Sequence, residues 1–375
     1  MKRINFVVAL FAVLLSISCS TTSKGDGTLT FVETDGNELT VCHLNQVKDT
    51  LVMNLSDLVE DFKVVRFENE DNALFNYSVL PAITDNYIGI RQSRGRPYLL
   101  FDHNGKLKCE VGSVGNGPGE YNQVIYDEVI NEKRDEIYLS SFASSSKILV
   151  YDTNGKFVRE IVAKNRLNKP KIEVDDNGDI TIIHMPFRNN TENFLAIQYS
   201  SDGSFKQELK PAPYLLVENF NSEMFAYHNV SEFSFWLTSC DTLFHYDKNA
   251  NKIHPKFTVD FGDVSERPFH VYNEIPNYYL VSFGKGLVAV NKKTHTSNYV
   301  RLVNDFFGHT SASMFNFHKG WFFHMFEPGN LITRIERRLA EGNCSAEDRK
   351  QLEEILGSID EDDNNILLMG KLKSN

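Results

Sequence analysis

The fold is decided by a stretch that occurs twice in the chain. Residues 98–111 read YLLFDHNGKLKCEV, and residues 148–161 read ILVYDTNGKFVREI. In both copies an alternating apolar run leads into Asp-x-Asn-Gly-Lys, and a second run follows. Asn-Gly between two such runs indicates a β-hairpin, for which a type I′ turn with positive φ at both central residues is expected.

Looser copies of this hairpin follow at residues 195–209, 243–259 and 287–303, with a pitch of about 45 to 50 residues. A further strand pair precedes each hairpin, so each unit has four strands, which is typical of a propeller blade. We therefore predict an all-β fold, a six-bladed β-propeller. Its blades are expected at residues 77–111, 124–161, 171–209, 224–261 and 270–303, with a sixth that begins near Ser311.

The sixth blade is interrupted at about residues 331–359, where apolar residues follow a helical period. This segment predicts a small insertion of two helices, after which residues 366–372 return as a strand. The N-terminal segments 39–44 and 62–67 are expected to pair with the last blade, because that pairing would close the ring and remove open sheet edges.

The N-terminus has the pattern of an export signal. Lys2 and Arg3 precede an apolar run from Phe6 to Leu15, which is too short to span a bilayer comfortably. Small residues then lead to Cys19, as in the lipobox of bacterial lipoproteins, although Ser16 stands where the strictest pattern has Leu. We predict a lipoprotein signal peptide at residues 1–18, lipid attachment at Cys19, a lipid-anchored tether at 19–37 and the propeller at 38–375. A signal peptide cleaved without lipidation is the alternative.

Several motifs together resemble a known family, the six-bladed β-propeller lipoproteins of Gram-negative bacteria, which are related in shape to NHL-repeat propellers. The resemblance rests on the segment from Leu55 to Glu68, on residues 101–106 followed by Gly115–Tyr121, and on residues 241–244 and 365–369. It covers nearly all of the chain after Cys19. It implies the fold and an exported outer-membrane lipoprotein that faces the periplasm or the cell surface, but it implies no reaction.

Two groups of residues are candidates for a site or a structural motif. The first has the sequence Gly-Asn-Gly-Pro-Gly-Glu-Tyr and comprises Gly115, Gly117, Pro118, Gly119, Glu120 and Tyr121. No Lys-Ser/Thr pair and no helix follow it, so a structural turn between blades is favoured over a phosphate loop. The second group, Tyr272, Tyr278 and Tyr279, is the candidate ligand-binding set, because loop aromatics anchor partners and sugars. Packing between blades is an equal alternative for these tyrosines.

No catalytic residue, metal site or cofactor is assigned from the sequence. There is no Gly-x-Ser-x-Gly and no HExxH, and the acidic turns at 175–179 and 360–364 lack the spacing of an EF-hand. His318 and His324 are six residues apart, but a core position is the more common outcome. Cys42, Cys109, Cys240 and Cys344 form no CxxC, so free thiols are favoured over disulfides, although pairing stays open.

The composition disfavours one class of partner. The chain has 39 Lys and Arg against 50 Asp and Glu, a formal charge of −11, which disfavours nucleic-acid binding. We predict a binding or scaffold module at the cell envelope, anchored to the membrane by its lipid, that holds a glycan, a peptide or a partner protein. The alternatives are a metal-dependent lactonase-like hydrolase or lyase that uses the propeller channel, and a structural envelope protein.

Overall fold

Each predicted unit is an antiparallel four-stranded sheet in the computed structural model, which describes residues 21–34, 36–76, 80–189, 193–284 and 286–374. Six such sheets form the blades of a β-propeller, as the repeat predicted. Alternation with period two makes each blade apolar on both sides. In the second blade, Ile137 and Leu139 pack towards the first blade, while Tyr138 packs towards the third.

The chain begins with strands that lie outside the regular blades. They are β1 (Thr21–Lys24), β2 (Leu29–Thr34), β3 (Asn37–His43), β4 (Thr50–Asn54) and β5 (Val59–Arg66), with one helical turn, α1 (Leu55–Leu58), before β5. Blade one follows with β6 (Ala82–Ile83), β7 (Tyr87–Ile90), β8 (Tyr98–Asp102) and β9 (Leu107–Val111). The short strands β10 (Ser113–Val114) and β11 (Glu120–Tyr121) lie between blades one and two.

The next three blades have complete four-stranded sheets. Blade two contains β12 (Ile125–Asn131), β13 (Glu136–Ser141), β14 (Ala143–Asp152) and β15 (Phe157–Asn168). Blade three contains β16 (Lys171–Val174), β17 (Ile180–Ile183), β18 (Ala196–Tyr199) and β19 (Phe205–Leu209). Blade four contains β20 (Met224–Phe225), β21 (Phe233–Leu237), β22 (Thr242–Asp247) and β23 (Lys252–Asp260).

The last two blades carry additions to this plan. Blade five contains β24 (His270–Ile275), β25 (Tyr278–Phe283), β26 (Gly286–Asn291) and β27 (Thr296–Asn304), to which the short β28 (Thr310–Ser311) is added. Blade six contains β29 (Phe317–His318), β30 (Trp321–Phe326) and β31 (Ile366–Leu372), with α2 (Pro328–Ala340) and α3 (Ala346–Leu356) between its second and third strands. Short 3-10 turns occur at Leu44–Gln46, Pro213–Leu215 and Met314–Asn316.

The ring closes through strands from both ends of the chain. The C-terminal strand β31 lies between β30 and β5, and β5 pairs with it antiparallel from Ile366 opposite Arg66 to Leu372 opposite Val59. The predicted pairing of residues 62–67 with the last blade is therefore confirmed. The same prediction for residues 39–44 is wrong, because β3 pairs in parallel with β23 of blade four. The outer strand of a blade has an open edge. β3 covers the open edge of blade four, and β4 covers the open edge of blade five.

The predicted tether at 19–37 contains folded structure. β2 pairs antiparallel with β3, and Leu29 and Phe31 are buried in the core between blades four and five. The body of the protein thus extends N-terminal to residue 38. The sixth blade begins at Phe317 rather than near Ser311, because Thr310 and Ser311 pair with β27 of blade five.

The hairpin turn of the repeat differs from the expected type I′ turn. In the turn after Asp102, only Gly105 has a positive φ, at 80°. The Asp102 carboxylate accepts hydrogen bonds from the backbone N–H groups of Asn104, at 2.8 Å, and Lys106, at 3.1 Å. This arrangement is a type I turn completed by a left-handed glycine, and the aspartate caps it from within. Asp152 and Gly155 repeat it in blade two.

The helical insertion packs against the propeller through one apolar face. Leu331 and Ile335 of α2 and Leu352 of α3 are completely buried. Pro328 occupies the first turn of α2, where a missing N–H costs nothing, and the Ser345 side chain caps α3 by accepting from the Asp348 N–H at 3.0 Å. The helix pair therefore extends the core of blades five and six.

The strand directions define two faces of the ring. Because successive strands in a blade are antiparallel, the connections between blades and the turns after each second strand lie on one face, which we call the connection face. The turns after each first and third strand lie on the opposite face, which we call the turn face. The inner strand of every blade starts at the connection face and lines the central channel.

Candidate functional site

Five charged side chains from four blades meet in the channel. We call this group the channel cluster: Arg91 after β7 of blade one, Asp127 and Glu128 in β12 of blade two, Lys171 at the start of β16 of blade three, and Lys319 between β29 and β30 of blade six. Side chains from blades one, two, three and six can approach one another only near the axis of the ring. The cluster therefore marks the channel.

Two carboxylates of the cluster are held by two cations. Arg91 Nε lies 2.9 Å from Glu128 Oε2, and Lys319 Nζ lies 3.3 Å from Asp127 Oδ1 and 3.8 Å from Glu128 Oε1. The Ile172 N–H also donates to Asp127 Oδ2, at 2.8 Å. Burial by itself would raise the pKa of Asp127, but the charges of Lys319 and Lys171 hold that pKa well below its usual range.

Lys171 is the fifth member of the cluster and differs from the other cations. It is 9% exposed, and its ammonium makes no hydrogen bond or ion pair within the described residues. Its contact is with the face of the Tyr126 ring, 4.3 Å from Nζ to the ring centroid. Burial lowers the pKa of Lys171, and Arg91 and Lys319 act in the same direction against the attraction of Asp127. The cluster thus has three cations for two carboxylates.

A second group lies beside the cluster at the connection face. The Tyr126 hydroxyl donates to Glu223 Oε2 at 2.6 Å, and the buried Lys169 ammonium forms an ion pair with the same carboxylate. Lys169 also donates to the Phe220 carbonyl at 2.8 Å and lies over the rings of Phe142 and Phe220, at 5.5 and 5.0 Å. This group, Tyr126, Phe142, Lys169, Phe220 and Glu223, forms an aromatic wall with a neutralised charge pair.

Three residues of this region have a backbone in the left-handed conformation. Lys169, His228 and Lys319 have φ values of 48°, 53° and 51°, in the left-handed region that residues other than glycine adopt uncommonly, and asparagine, aspartate and histidine more often than the rest. Such strain costs about 1–3 kcal/mol at each residue and persists where the surrounding contacts impose it. Lys319 in the channel cluster and Lys169 beside it are therefore both held in a strained backbone conformation.

The described residues hold no group of three or more His, Cys, Asp or Glu that could bind a metal ion. His318 is buried, and burial with the nearby Lys319 charge lowers its pKa well below the usual range. His324 lies on the next strand, and burial lowers its pKa to about 4. In the acidic turn at 175–179, Asp175 Oδ1 accepts from the N–H groups of Asn177 and Asp179, at 2.9 and 3.0 Å, so this carboxylate stabilises the turn.

The predicted tyrosine set lies in strands and does not form a loop surface. Tyr272 is in β24, is 1% exposed, and its hydroxyl donates to the Asp241 carbonyl at 3.0 Å and accepts from the Val259 N–H at 3.2 Å. Tyr278 and Tyr279 begin β25 immediately after the first turn of blade five, at the turn face. Tyr279 stacks on Phe257, with ring centroids 4.5 Å apart. Tyr272 is therefore packed in the interior, whereas Tyr278 and Tyr279 are half-buried on a strand.

The Gly115–Tyr121 motif is the connection between blades one and two. Glu120 Oε2 accepts from the Gly117 N–H at 2.7 Å, and a side chain at Gly115 would collide with this carboxylate. Gly119 has a φ of 72°, where a side chain would meet Phe157. The Tyr121 hydroxyl donates to the Val111 carbonyl at 2.6 Å and accepts from the Tyr98 N–H at 2.7 Å. The motif thus hydrogen-bonds to blade one through Tyr121 and to blade two through the Gly119 carbonyl, which accepts from the Tyr151 hydroxyl at 2.9 Å.

Large apolar side chains are exposed on the connections between blades. Phe220 is 48% exposed, Phe269 is 69% exposed and Phe315 is 42% exposed, and they lie on three successive connections. Leu74, Val114, Val124, Tyr214 and Val264 are exposed on the same face. The remaining exposed large apolar residues of the described chain, such as Phe157 and Phe205, lie on outer strands at the rim.

The remaining predictions concern the cysteines and the N-terminal signal segment. Cys42, Cys109, Cys240 and Cys344 are free thiols, and burial raises the pKa of Cys42 to about 12 and that of Cys109 to about 11. Cys19 and the signal segment 1–18 lie outside the described residues. No helix in the described ranges is long and apolar enough to cross a bilayer.

Sequence reasoning missed the channel cluster because its members are far apart in the chain. The signal that could have found part of it is the pair Asp127 and Glu128 inside an otherwise apolar inner strand. Nothing in the local sequence of Arg91, Lys171 or Lys319 indicates that they share a partner.

A family model matches most of the chain, and one solved structure shares this architecture. The family described as Domain of unknown function (DUF4934) matches residues 39–371. A crystal structure of a presumed exported protein from Bacteroides fragilis is similar over 87% of this chain and 99% of that chain, with 14% identity and a TM-score of 0.63. A member of the DUF4221 family from Bacteroides vulgatus is aligned over 85% and 98% of the two chains, with 10% identity and a TM-score of 0.46. No curated protein matches the chain.

Proposed function

We propose that this chain, which belongs to the DUF4934 family as matched over residues 39–371, is an exported propeller that binds a partner protein. A lipid on Cys19 holds it at the cell envelope, and the partner binds to its connection face. Its signal-like N-terminus supports export, as does the description of the Bacteroides fragilis protein with the same fold as presumed exported. Its role is that of a binding module.

The observation that carries this proposal is the exposure of Phe220, Phe269 and Phe315 on three successive connections of one face. Single exposed apolar residues are normal on soluble proteins, but several on one face favour a site of association. Buried aromatic anchors commonly provide much of the binding energy in protein interfaces.

The chemistry of this face favours a protein over a glycan. Phenylalanine rings have no polar group with which to bind sugar hydroxyls, whereas they bury well against apolar side chains. Polar groups beside Phe220 are already used, since Lys169 donates to the Phe220 carbonyl, to the Ser222 carbonyl and to Glu223. Beside Phe220 the face therefore offers apolar area whose neighbouring polar groups are already paired.

Site-specific photo-crosslinking in cells tests the proposal. A photoreactive phenylalanine analogue is placed at Phe269 or Phe315, and at Phe205 as a control of similar exposure on the rim. We expect one discrete cross-linked protein from positions 269 and 315 and none from 205, and its loss when Phe220 is changed to Ser in the same chain. Equal cross-linking from position 205, or none from 269 and 315, would reject this face as the binding surface.

A parallel assay separates binding from catalysis. The purified body without residues 1–20 is incubated with esters, lactones and polysaccharides. We expect no turnover. Turnover that a chelator abolishes would reject the binding-module proposal in favour of a metal-dependent hydrolase.

A further inference from the structure

The Lys171 ammonium in the channel has no hydrogen-bond or ion-pair partner in the part of the chain that the structure describes, so it is available to a negatively charged group of the proposed partner. We infer that Lys171 is the centre of an anion site that takes one carboxylate of the partner protein, inserted into the channel from the connection face. The inference rests on the proposed function for the identity of the ligand, but the site itself rests on the channel cluster.

The first argument is charge balance. Arg91, Lys171 and Lys319 provide three positive charges, and Asp127 and Glu128 provide two negative charges, so a protonated cluster has one cation in excess. Buried charges are generally paired, because an unpaired ion in a medium of low dielectric costs several kcal/mol. A single carboxylate neutralises this excess, whereas a phosphate dianion would exceed it.

The second argument is the contrast between two buried lysines that are two residues apart. Lys169 is 2% exposed in its side chain and has a full set of acceptors, namely the Phe220 and Ser222 carbonyls and the Glu223 carboxylate. Lys171 is 9% exposed, yet in the described chain its ammonium contacts only the Tyr126 ring. An ammonium has three donors, and those of Lys171 are available to a ligand.

The third argument is access. Lys171 is the first residue of its inner strand, Arg91 follows the second strand of blade one, and Tyr126 is the second residue of β12. All three positions are at the connection-face end of their strands. The anion site therefore lies at the end of the channel nearest the face that carries Phe220, from which a partner docked there could extend an acidic group to Lys171.

Small carboxylates test the site on the purified body. Thermal unfolding and calorimetric titration are followed with acetate, with acetamide as its neutral counterpart, and with chloride at the same ionic strength. We expect acetate to raise the melting temperature in a saturable way and acetamide to have no effect. Acetate that is no more effective than chloride would overturn the inference, whatever the behaviour of any variant.

Two variants locate the effect. Lys171→Met keeps the length of the side chain and removes an unpaired charge, so it should fold and bind acetate about 10-fold more weakly or worse, the expected loss for a hydrogen bond to a charged group. Lys133→Met is the control, because Lys133 is paired with Asp176 at 2.6 Å, is 70% exposed and lies in the turn between β12 and β13, at the turn face. Unchanged acetate binding by Lys171→Met, or tighter Lys171-dependent binding of inorganic phosphate than of acetate, would reject the carboxylate site.

Two further probes distinguish the source of the carboxylate. N-acetylglutamic acid α-amide represents an acidic side chain, and N-acetylglycine represents a chain terminus. Whichever binds more tightly identifies the inserted group, and binding of neither would contradict the inference. Cross-linking from Phe269 and Phe315 without any carboxylate binding would support the docking face and reject the anion site. Carboxylate binding without cross-linking from these positions would support the anion site and reject the docking face.

Discussion

Arg91 Nε lies 2.9 Å from Glu128 Oε2, and this ion pair joins blade one to blade two inside the channel. The Glu128 side chain is completely buried, so its carboxylate contacts Arg91 and Lys319 and not solvent. Removing one partner of a buried ion pair leaves the other charge uncompensated, which is more costly than exchanging both for apolar groups.

Glu128→Gln should therefore lower the free energy of unfolding by about 3–5 kcal/mol. Chemical denaturation measures this change. The control is Asp176→Asn, which removes an ion pair with Lys133 at 2.6 Å in which both side chains are 70% exposed, and which should cost about 0.2–1 kcal/mol. Equal losses in the two variants would contradict the structural importance of the buried pair.

Deletion of residues 365–375 should abolish cooperative unfolding. The deletion removes β31, which separates β30 from β5, and so exposes two sheet edges and opens the ring. Calorimetry and the exposure of apolar surface to a fluorescent dye measure the effect. A chain that lacks only residues 374–375 keeps β31 and should unfold like the full protein. A normal transition in the longer deletion would argue against closure through the C-terminal strand.

The free energy of unfolding should decrease at acidic pH as Glu274 becomes protonated. Burial by itself would raise the pKa of this carboxyl group, but the hydrogen bond with His245 and the charge of Lys292 hold it at about 2, below the ordinary 4.5. A carboxylate with a lowered pKa stabilises the folded state above the unfolded pKa, and this contribution is lost as the pH falls from about 4.5 to about 2.

Glu274→Gln should thus be less stable at pH 7 and should lose less stability between pH 4.5 and pH 2 than the parent. Denaturation curves at successive pH values provide the test. Glu354→Gln on the exposed side of α3 is the control and should leave the slope unchanged. A Glu274→Gln variant with the parental slope would show that another group controls the acid transition.

Membrane attachment should depend on Cys19. Cys19→Ala removes the only side chain of the predicted lipobox that can be acylated, and we expect the protein to leave the membrane fraction. Fractionation with immunoblotting measures this. Cys109→Ala, in the folded body, should stay in the membrane fraction. A Cys19→Ala protein that remains membrane-bound would exclude the lipid anchor.

The parts of the fold that the sequence predicts are those made by residues close together in the chain. The hairpins at 98–111 and 148–161 are made by neighbouring residues, so alternation and turn residues suffice to place them. The turn type was not predictable from Asn-Gly alone, because the Asp102 carboxylate binds two backbone N–H groups and stabilises a type I turn. The partner of β3 was equally hidden, since any blade with an open outer edge could accept it.

The sequence by itself determined the number of blades, the position of the helical insertion and the strand that closes the ring, because each depends on local periodicity repeated along the chain. Only the tertiary structure decided that Tyr272 is interior and that Arg91, Glu128, Lys171 and Lys319 meet. Ring closure brings distant inner strands to one axis, and the resulting charge balance depends on distances that no spacing in the sequence encodes.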